Sequence, residues 1–286
     1  MASKVKFVPI AGARLGARVE NFDFTNALTN EEHEMFEDAF ERYGVLVVDG
    51  QSPSPENHID FSSRFGYLET ASVDEGGHQD HPELMVVGNQ PGRLISFSPT
   101  DPEGDLEWHA DNMHLAQTAK VSILHAIEVP EEGGDTLFAC MYAAYEDLSE
   151  SEQQTYERLK MRHSIAGLET YLEKTVGEAT KDAIGPTHSI ESVVWPLVRR
   201  HRRSGRRSLY FGSHVTIGVE GWSEDEGRSF IQDLTKRATR SEMRYRHKWT
   251  KGDVVMWDNR RVVHAGTYYD VNRSHRLMFR TTVRDA

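Results

Sequence analysis

The sequence predicts a mainly β fold, a sandwich or jelly roll with helices packed on its outer face. From residue 84 onward, short apolar runs recur between turn-forming residues, the pattern of a two-sheet β structure. Helix-like runs are few, and most of them open on a recognisable cap. No internal repeat, low-complexity linker or composition shift marks a boundary, so residues 1–286 read as one domain.

The elements follow in order. Thr29-Asn30-Glu31-Glu32 is a capping box, in which a hydroxyl and a carboxylate satisfy backbone donors that the first helical turn leaves open. The helix it starts carries Met35, Phe36, Ala39, Phe40 and Tyr43 on one face, and Gly44 ends it. Val45–Val48 is a short buried strand. Ser54-Pro55 starts a second helix, since proline at the first helical position has no intrahelical bond to lose. Phe61 and Phe65 form its apolar side, and Gly66 stops it. Strands are then expected at 84–87, 121–127, 136–139, 193–198, 208–211, 243–247, 254–257 and 277–283. Capping boxes beginning at Ser149 and Ser223 open two further amphipathic helices.

Composition excludes several classes. With 38% hydrophobic residues the chain can bury a sizeable core. Mean hydropathy is -0.60, and no apolar run reaches 18 residues, so no membrane-spanning helix is expected. Cys140 is the single cysteine, which rules out an internal disulfide and fits a reducing compartment. The N-terminus lacks the apolar stretch of a secretory signal, and a cytoplasmic location is expected. The net charge of -12 opposes binding to nucleic acid or an anionic membrane. Arg199, Arg200, Arg202, Arg203, Arg206 and Arg207 run against that charge. Without interleaved aromatics they read as a solvated hairpin turning at Ser204-Gly205, not a polyanion site.

The chemistry centres on Glu107-Trp108-His109-Ala110-Asp111-Asn112. On a strand, residues two apart project from one face, so His109 and Asp111 are expected to enter one cavity and bind one ion. Imidazole plus carboxylate suits a first-row metal, and His264, after a strand and the polar turn at Asp258-Asn259, offers a third ligand. Two histidines and one carboxylate leave open positions, as in the facial triad of iron(II) oxygenases. His-x-Asp alone is weak in a chain with 14 histidines. Arg276 and Arg280, in an otherwise apolar strand, add to it. Their even spacing puts both on one inward face, where guanidinium groups need anionic partners. Edge-strand arginines paired with acids are the competing reading, and spacing alone does not separate the two. The other histidines have plainer readings. His114 suits a supporting or surface position, and His163, His201 and His214 suit core or edge positions.

Together these segments resemble the taurine/2,4-dichlorophenoxyacetate dioxygenase family. The resemblance rests on Tyr43-Gly44-Val45-Leu46-Val47-Val48, Phe61-Ser62-Ser63-Arg64-Phe65-Gly66, Trp108-His109-Ala110-Asp111, Gly133-Gly134-Asp135-Thr136, Ala144-Tyr145, Trp195-Pro196-Leu197-Val198, Gly205-Arg206-Arg207, Met256-Trp257-Asp258-Asn259-Arg260 and Arg280-Thr281-Thr282. Residues 195–270 look closest to the 2,4-dichlorophenoxyacetate branch. The resemblance implies a double-stranded β-helix (jelly roll) that uses Fe(II), 2-oxoglutarate and O2 to hydroxylate, and in some cases thereby cleave, a small anionic substrate. A sulfonate such as taurine, or another small organic acid, is the alternative to an aryloxyalkanoate. By the resemblance His109, Asp111 and His264 match the iron ligands, and Thr136 and Arg276 match the pair that binds the far carboxylate of 2-oxoglutarate. Arg280 matches the arginine that meets the substrate anion, and Trp108 and Trp257 match aromatic residues of the iron pocket. His275 stands directly before Arg276, and the Arg-x-x-x-Arg spacing selects Arg276. His78 or His81, or neither, takes the place of a substrate-binding loop histidine. Relatives also imply a homo-oligomer. Residues 67–83 and 165–190 are the lid candidates. Two rivals remain at this point. A zinc hydrolase lacks a general base placed as in His-Glu-x-x-His. A non-catalytic jelly-roll binding protein leaves an intact triad unexplained.

Overall fold

The computed structural model describes residues 5–90, 93–95, 98–99, 101–175 and 191–285. In chain order these form β1 (Lys6–Pro9), β2 (Ala17–Glu20), α1 (Asn30–Tyr43), β3 (Val45–Val48), α2 (Pro55–Ser63), β4 (Met85–Gln90), β5 (Arg93–Ile95), β6 (Ala119–Glu128) and β7 (Thr136–Cys140). There follow α3 (Met141–Glu146), α4 (Glu150–Tyr156), β8 (Lys160–His163), α5 (Ile165–Thr175), β9 (Val193–Pro196), β10 (Val198–Arg200) and β11 (Arg207–Leu209). The chain closes with β12 (Thr216–Val219), α6 (Glu224–Ala238), β13 (Arg244–His247), β14 (Val254–Asp258), β15 (Val262–Gly266) and β16 (Leu277–Arg284).

The major sheet has the order β1-β2-β3-β14-β6-β16-β4-β5, and a smaller sheet has the order β13-β7-β15. Strand alternation sorts the side chains between two cores. Leu46 and Val48 of β3, Val254 and Met256 of β14, and Val121 and Ile123 of β6 pack outward onto Phe36, Phe40 and Phe61 of α1 and α2. Their neighbours Val45, Val47, Val255, Trp257, Leu124 and Ala126 point inward, onto Phe138 and Cys140 of β7. The smaller sheet repeats the division. Leu137, Ala139, Val263 and Ala265 face away from the large sheet, onto Ile231, Leu234 and Ala238 of α6. This is the jelly roll with flanking helices that the sequence predicts. At about 25 cal/mol per Å² of apolar surface, burying each such side chain is worth roughly 1.5–3 kcal/mol, so a one-residue register slip is strongly opposed.

Helix starts match expectation closely. Thr29, Ser54, Ser149 and Ser223 each form a two-way capping box with the residue three positions on. Three boundaries differ. Helix α2 ends at Ser63, so Phe65 reaches the core from beyond the helix. The expected strand 193–198 divides at Leu197, which is buried and whose backbone bonds to Leu159 and Tyr210 instead of continuing one ladder. His109 does not lie in a regular strand. It forms an isolated antiparallel bridge with His264, and Asp111 already belongs to a turn in which Asn112 has φ 56°.

The arginine-rich segment is the antiparallel hairpin β10–β11, with Arg199 opposite Ser208. Its arginines pair with acids of the same chain: Arg203 with Asp38 and Glu34, Arg206 with Glu146, and Arg207 with Glu157. Below it His201 is buried between Glu41 and Asp258. Burial alone would lower the His201 pKa, but hydrogen bonds to Asp258 and Glu41 outweigh it and raise it above the ordinary histidine value. No helix among the described residues is long and apolar enough to cross a membrane.

Candidate active site

The bridge between His109 and His264 is reciprocal, each backbone N–H donating to the other's carbonyl at 3.0 and 2.8 Å. It sets the two imidazole rings side by side, with centroids 4.3 Å apart. Inward parity on β15 carries His264 into the space between the sheets, next to Trp257, whose ring is 4.7 Å away. Ligand atoms of His109, Asp111 and His264 lie within 4.8 Å of one another. The expected trio is therefore assembled, though by a bridge and a turn and not by one strand face. His109 Nδ1 donates to the Glu107 carbonyl at 2.9 Å, so Nε2 is the nitrogen that carries a lone pair.

Asp111 is held from several sides. Its backbone N–H donates to Asn259 Oδ1 at 2.9 Å, Ser122 Oγ donates to its Oδ2 at 2.6 Å, and Arg280 Nη1 donates to its Oδ1 at 2.6 Å. Burial alone would raise the Asp111 carboxyl. Arg280, the two histidines and the Ser122 bond outweigh it and hold the carboxyl well below the usual carboxylate range. Burial, helped by the neighbouring His109, pushes His264 down to about 3. At neutral pH this gives one ionised carboxylate beside a neutral imidazole, the donor set that a borderline first-row cation takes.

A small cavity of about 70 Å³ adjoins the trio, and its lining includes Met85, Val87, Leu124, Thr136, Trp257, Arg276 and Arg280. Arg276 is 5% exposed, and burial pulls its guanidinium below the ordinary arginine value. Its backbone is fixed by Asn89, whose Oδ1 accepts the Arg276 N–H at 2.8 Å while its Nδ2 donates to the carbonyls of Val271 and Ser274. Thr136 Oγ accepts from Trp249 Nε1 at 3.0 Å, so its own proton remains available to a second partner. Gly133 and Gly134, both at positive φ, turn the chain into β7 and place Thr136 at its first position. A side chain at Gly133 would overlap the Tyr268 carbonyl oxygen. A buried guanidinium and a hydroxyl lining one cavity suit a carboxylate of a small acid. The residues present therefore fit both a facial-triad metal and a dicarboxylic cosubstrate.

Three residues named from the resemblance do not reach this cavity. Trp108 packs behind the bridge with Leu137 and Val263 in the outer core, with Arg244 over its ring. Strand parity from the inward His264 leaves that side to outward residues. His78 packs its ring on Phe279, 5.2 Å away, on the face of β16 opposite Arg280, and His81 pairs with Glu56 at 3.4 Å. Of the lid candidates, 67–83 is tied to the major sheet by bridges at Leu68 and Gly77, and α5 covers 165–175. Residues 176–190 lie outside the described residues.

Sequence reasoning missed Ser122, Asn259 and Asn89 as site residues. Ser122 carries a signal, a hydroxyl at inward parity within an apolar strand. Asn259 was read only as part of a turn, and Asn89 carries no signal. His214 pairs with buried Glu107, and His163 is fully buried with Nδ1 3.1 Å from Thr216 Oγ, which agrees with the plainer readings given to both.

Comparison with known proteins adds independent information. Residues 6–282 match the family described as "Taurine catabolism dioxygenase TauD, TfdA family". The chain is 35% identical over 279 residues to an alpha-ketoglutarate-dependent 2,4-dichlorophenoxyacetate dioxygenase of Cupriavidus pinatubonensis, covering 94% of this chain and 95% of that protein. It is 34% identical to a pentalenolactone F synthase of Streptomyces arenae, covering 93% of this chain and 91% of that protein. A crystal structure of AAD-2 in complex with Mn(II) and N-oxalylglycine superposes with a TM-score of 0.81 at 30% identity, covering 99% of this chain and 98% of that one. With fold, site geometry and full-length similarity in agreement, the chain belongs to the TauD, TfdA family of dioxygenases.

Proposed function

We propose that this protein is an Fe(II)- and 2-oxoglutarate-dependent dioxygenase that hydroxylates a small organic acid, with aryloxyalkanoates as the leading substrate class. The observation that carries the proposal is one cavity lined by His109, His264 and the buried Arg276, with Asp111 within ligand distance of the two histidines. In this reading His109, Asp111 and His264 hold iron, while Arg276 and Thr136 hold the far carboxylate of 2-oxoglutarate. Iron(II) with 2-oxoglutarate and O2, when bound, supplies the oxidant for C–H hydroxylation.

The chain itself supplies position and enclosure. Arg276, set among Val87, Leu124 and Trp257, gains a charge-assisted bond from a carboxylate that replaces lost hydration. Thr136 donates its remaining proton to the same group. Met85, Val87, Leu124 and Trp257 present apolar surface that excludes water from the reacting carbon. Arg280 lies at the metal end, where it meets the anionic group of the organic acid. The relatives named above differ in their products at nearly equal identity, so the acid is to be identified by screening. The proposal extends to one catalytic domain over residues 1–286, a homo-oligomer and a cytoplasmic location. Light scattering tests the assembly.

The deciding experiment is an anaerobic titration with iron(II) and 2-oxoglutarate, followed by visible absorption. A weak charge-transfer band is expected, and a panel of aryloxyacetates, arylacetates and sulfonates is then ranked by the shift each produces. Iron uptake with no such band, and no iron-dependent succinate on adding O2, would favour a zinc hydrolase or a binding protein.

A further inference from the structure

We propose that Asn259 is a positioning residue that fixes Asp111 as a metal ligand through the polarity of a buried hydrogen-bond relay. Asn259 is 1% exposed and stands in the turn between β14 and β15. Its Oδ1 accepts from the Asp111 backbone N–H at 2.9 Å and from Trp257 Nε1 at 3.0 Å. Two donors on one atom identify that atom as the amide oxygen, because the amide nitrogen has no lone pair to offer. The nitrogen, Nδ2, therefore lies on the other side, and it donates to Ser122 Oγ at 2.9 Å.

That donation determines where the Ser122 proton goes. A hydroxyl has one proton, and with Asn259 donating to its oxygen, the proton is directed to the remaining partner, Asp111 Oδ2 at 2.6 Å. Oδ2 is also the carboxylate oxygen that lies 4.0 Å from His264 Nε2. Asn259 thus acts on Asp111 at two points, directly at its backbone and through Ser122 at the oxygen nearer His264. The indole that lines the cavity, Trp257, locks the amide in this orientation. The same residue closes the turn that leads into β15, so Asp111 and His264 are placed by one element although they stand far apart in sequence. Every member of the relay is buried, where hydrogen bonds are electrostatically stronger than in water.

This assignment rests on the reading of His109, Asp111 and His264 as a metal site. The test is therefore binding of Mn(II) alone, followed by the electron paramagnetic resonance signal of the free ion. Circular dichroism of the metal-free proteins measures the folded fraction. Asn259→Asp keeps the shape and replaces the Nδ2 donor with an acceptor, so the Ser122 proton turns away from Asp111. Ser122→Ala removes the same bond by deleting one oxygen, and it carries the test if Asn259→Asp does not fold. Each folded variant is expected to bind Mn(II) about 10- to 100-fold more weakly than wild type, the usual loss when a ligand's supporting bond is removed. Wild-type affinity in folded Asn259→Asp or Ser122→Ala overturns the relay alone. A wild-type protein that takes up no Mn(II) overturns the metal reading and the relay together.

Discussion

Arg276, just before β16, and Arg280, within it, share a residue type and line one cavity, yet their surroundings differ. Arg280 already donates to Asp111 Oδ1, and its Nη2 approaches the Met85 sulfur at 3.1 Å. Arg276 is the more buried of the two and lies among apolar side chains and the Thr136 hydroxyl. The proposed roles therefore separate in a kinetic experiment. Arg276→Ala is expected to raise KM for 2-oxoglutarate by about tenfold or more, since a hydrogen bond to a charged group is worth roughly 1.5–3 kcal/mol. Arg280→Ala is expected to raise KM for the organic acid far more than KM for 2-oxoglutarate. Equal rises in both constants for either variant would remove the division of labour. Steady-state kinetics at saturating iron checks it, because Arg280 also touches Asp111 and a metal-affinity loss must be kept apart.

At the scale of elements, the site depends on how closely β4 approaches the start of β16. Gly88 has φ 143°, and a Cβ built there would overlap the carbonyl oxygen of Arg276. The next residue, Asn89, ties down the loop that delivers Arg276. Gly88→Ala must therefore push β4 away from the Arg276 backbone. Its expected cost is about 1–3 kcal/mol of stability, the range for overpacked positions. Arg276 is displaced with it, so 2-oxoglutarate affinity is expected to fall as well. Thermal unfolding and the charge-transfer titration on the same variant check both parts, and an unshifted melting temperature would show that the approach is not tight.

For the whole molecule, the buried histidines link fold stability to pH. Burial, together with the nearby His125, pushes His58 down to about 3, and burial, with His114 and Arg199 adding to it, does the same for His163. In the unfolded chain both take up protons near 6.5. Between those pH values the unfolded state binds more protons than the folded state, so stability rises with pH through the window. The contribution is complete above about pH 6.5 and is lost as pH falls toward 3, at up to about 1.4 kcal/mol per pH unit for each group. Urea midpoints measured from pH 7 to pH 4.5 in the presence of chelator are expected to fall, and His58→Gln is expected to give a shallower slope. An identical slope in wild type and variant would show that His58 takes no part in the linkage.

Local physics made much of this protein legible before any coordinates. Capping boxes fixed three helix starts and proline at the first helical position fixed a fourth, because both signals act within a single turn. Even spacing put Arg280 on an inward face, whereas Thr136 and Trp257 were readable as pocket residues only through the motifs that carry the resemblance. The strand β15 that carries His264 inward is not marked by the sequence pattern, which shows only a histidine after a polar turn. The trio itself was readable only because His-x-Asp, His264 and the two arginines occur in one chain in the order the family uses. The bridge that joins His109 to His264 was not readable, since its partners stand far apart in sequence and neither lies in a long ladder. The same holds for Ser122 and Asn259, which meet Asp111 only after β6 and β14 have paired. Trp108, His78 and His81 do not line the cavity, for the complementary reason. A motif fixes that an aromatic or a histidine is present, but packing against Leu137 or Phe279 decides which way it points. The sequence by itself determined four helix starts, most of the strands of the two facing sheets and the kind of chemistry. The tertiary structure alone decided which polar groups converge on Asp111, because hydrogen bonds between distant residues form only once hydrophobic burial has set the sheets in register.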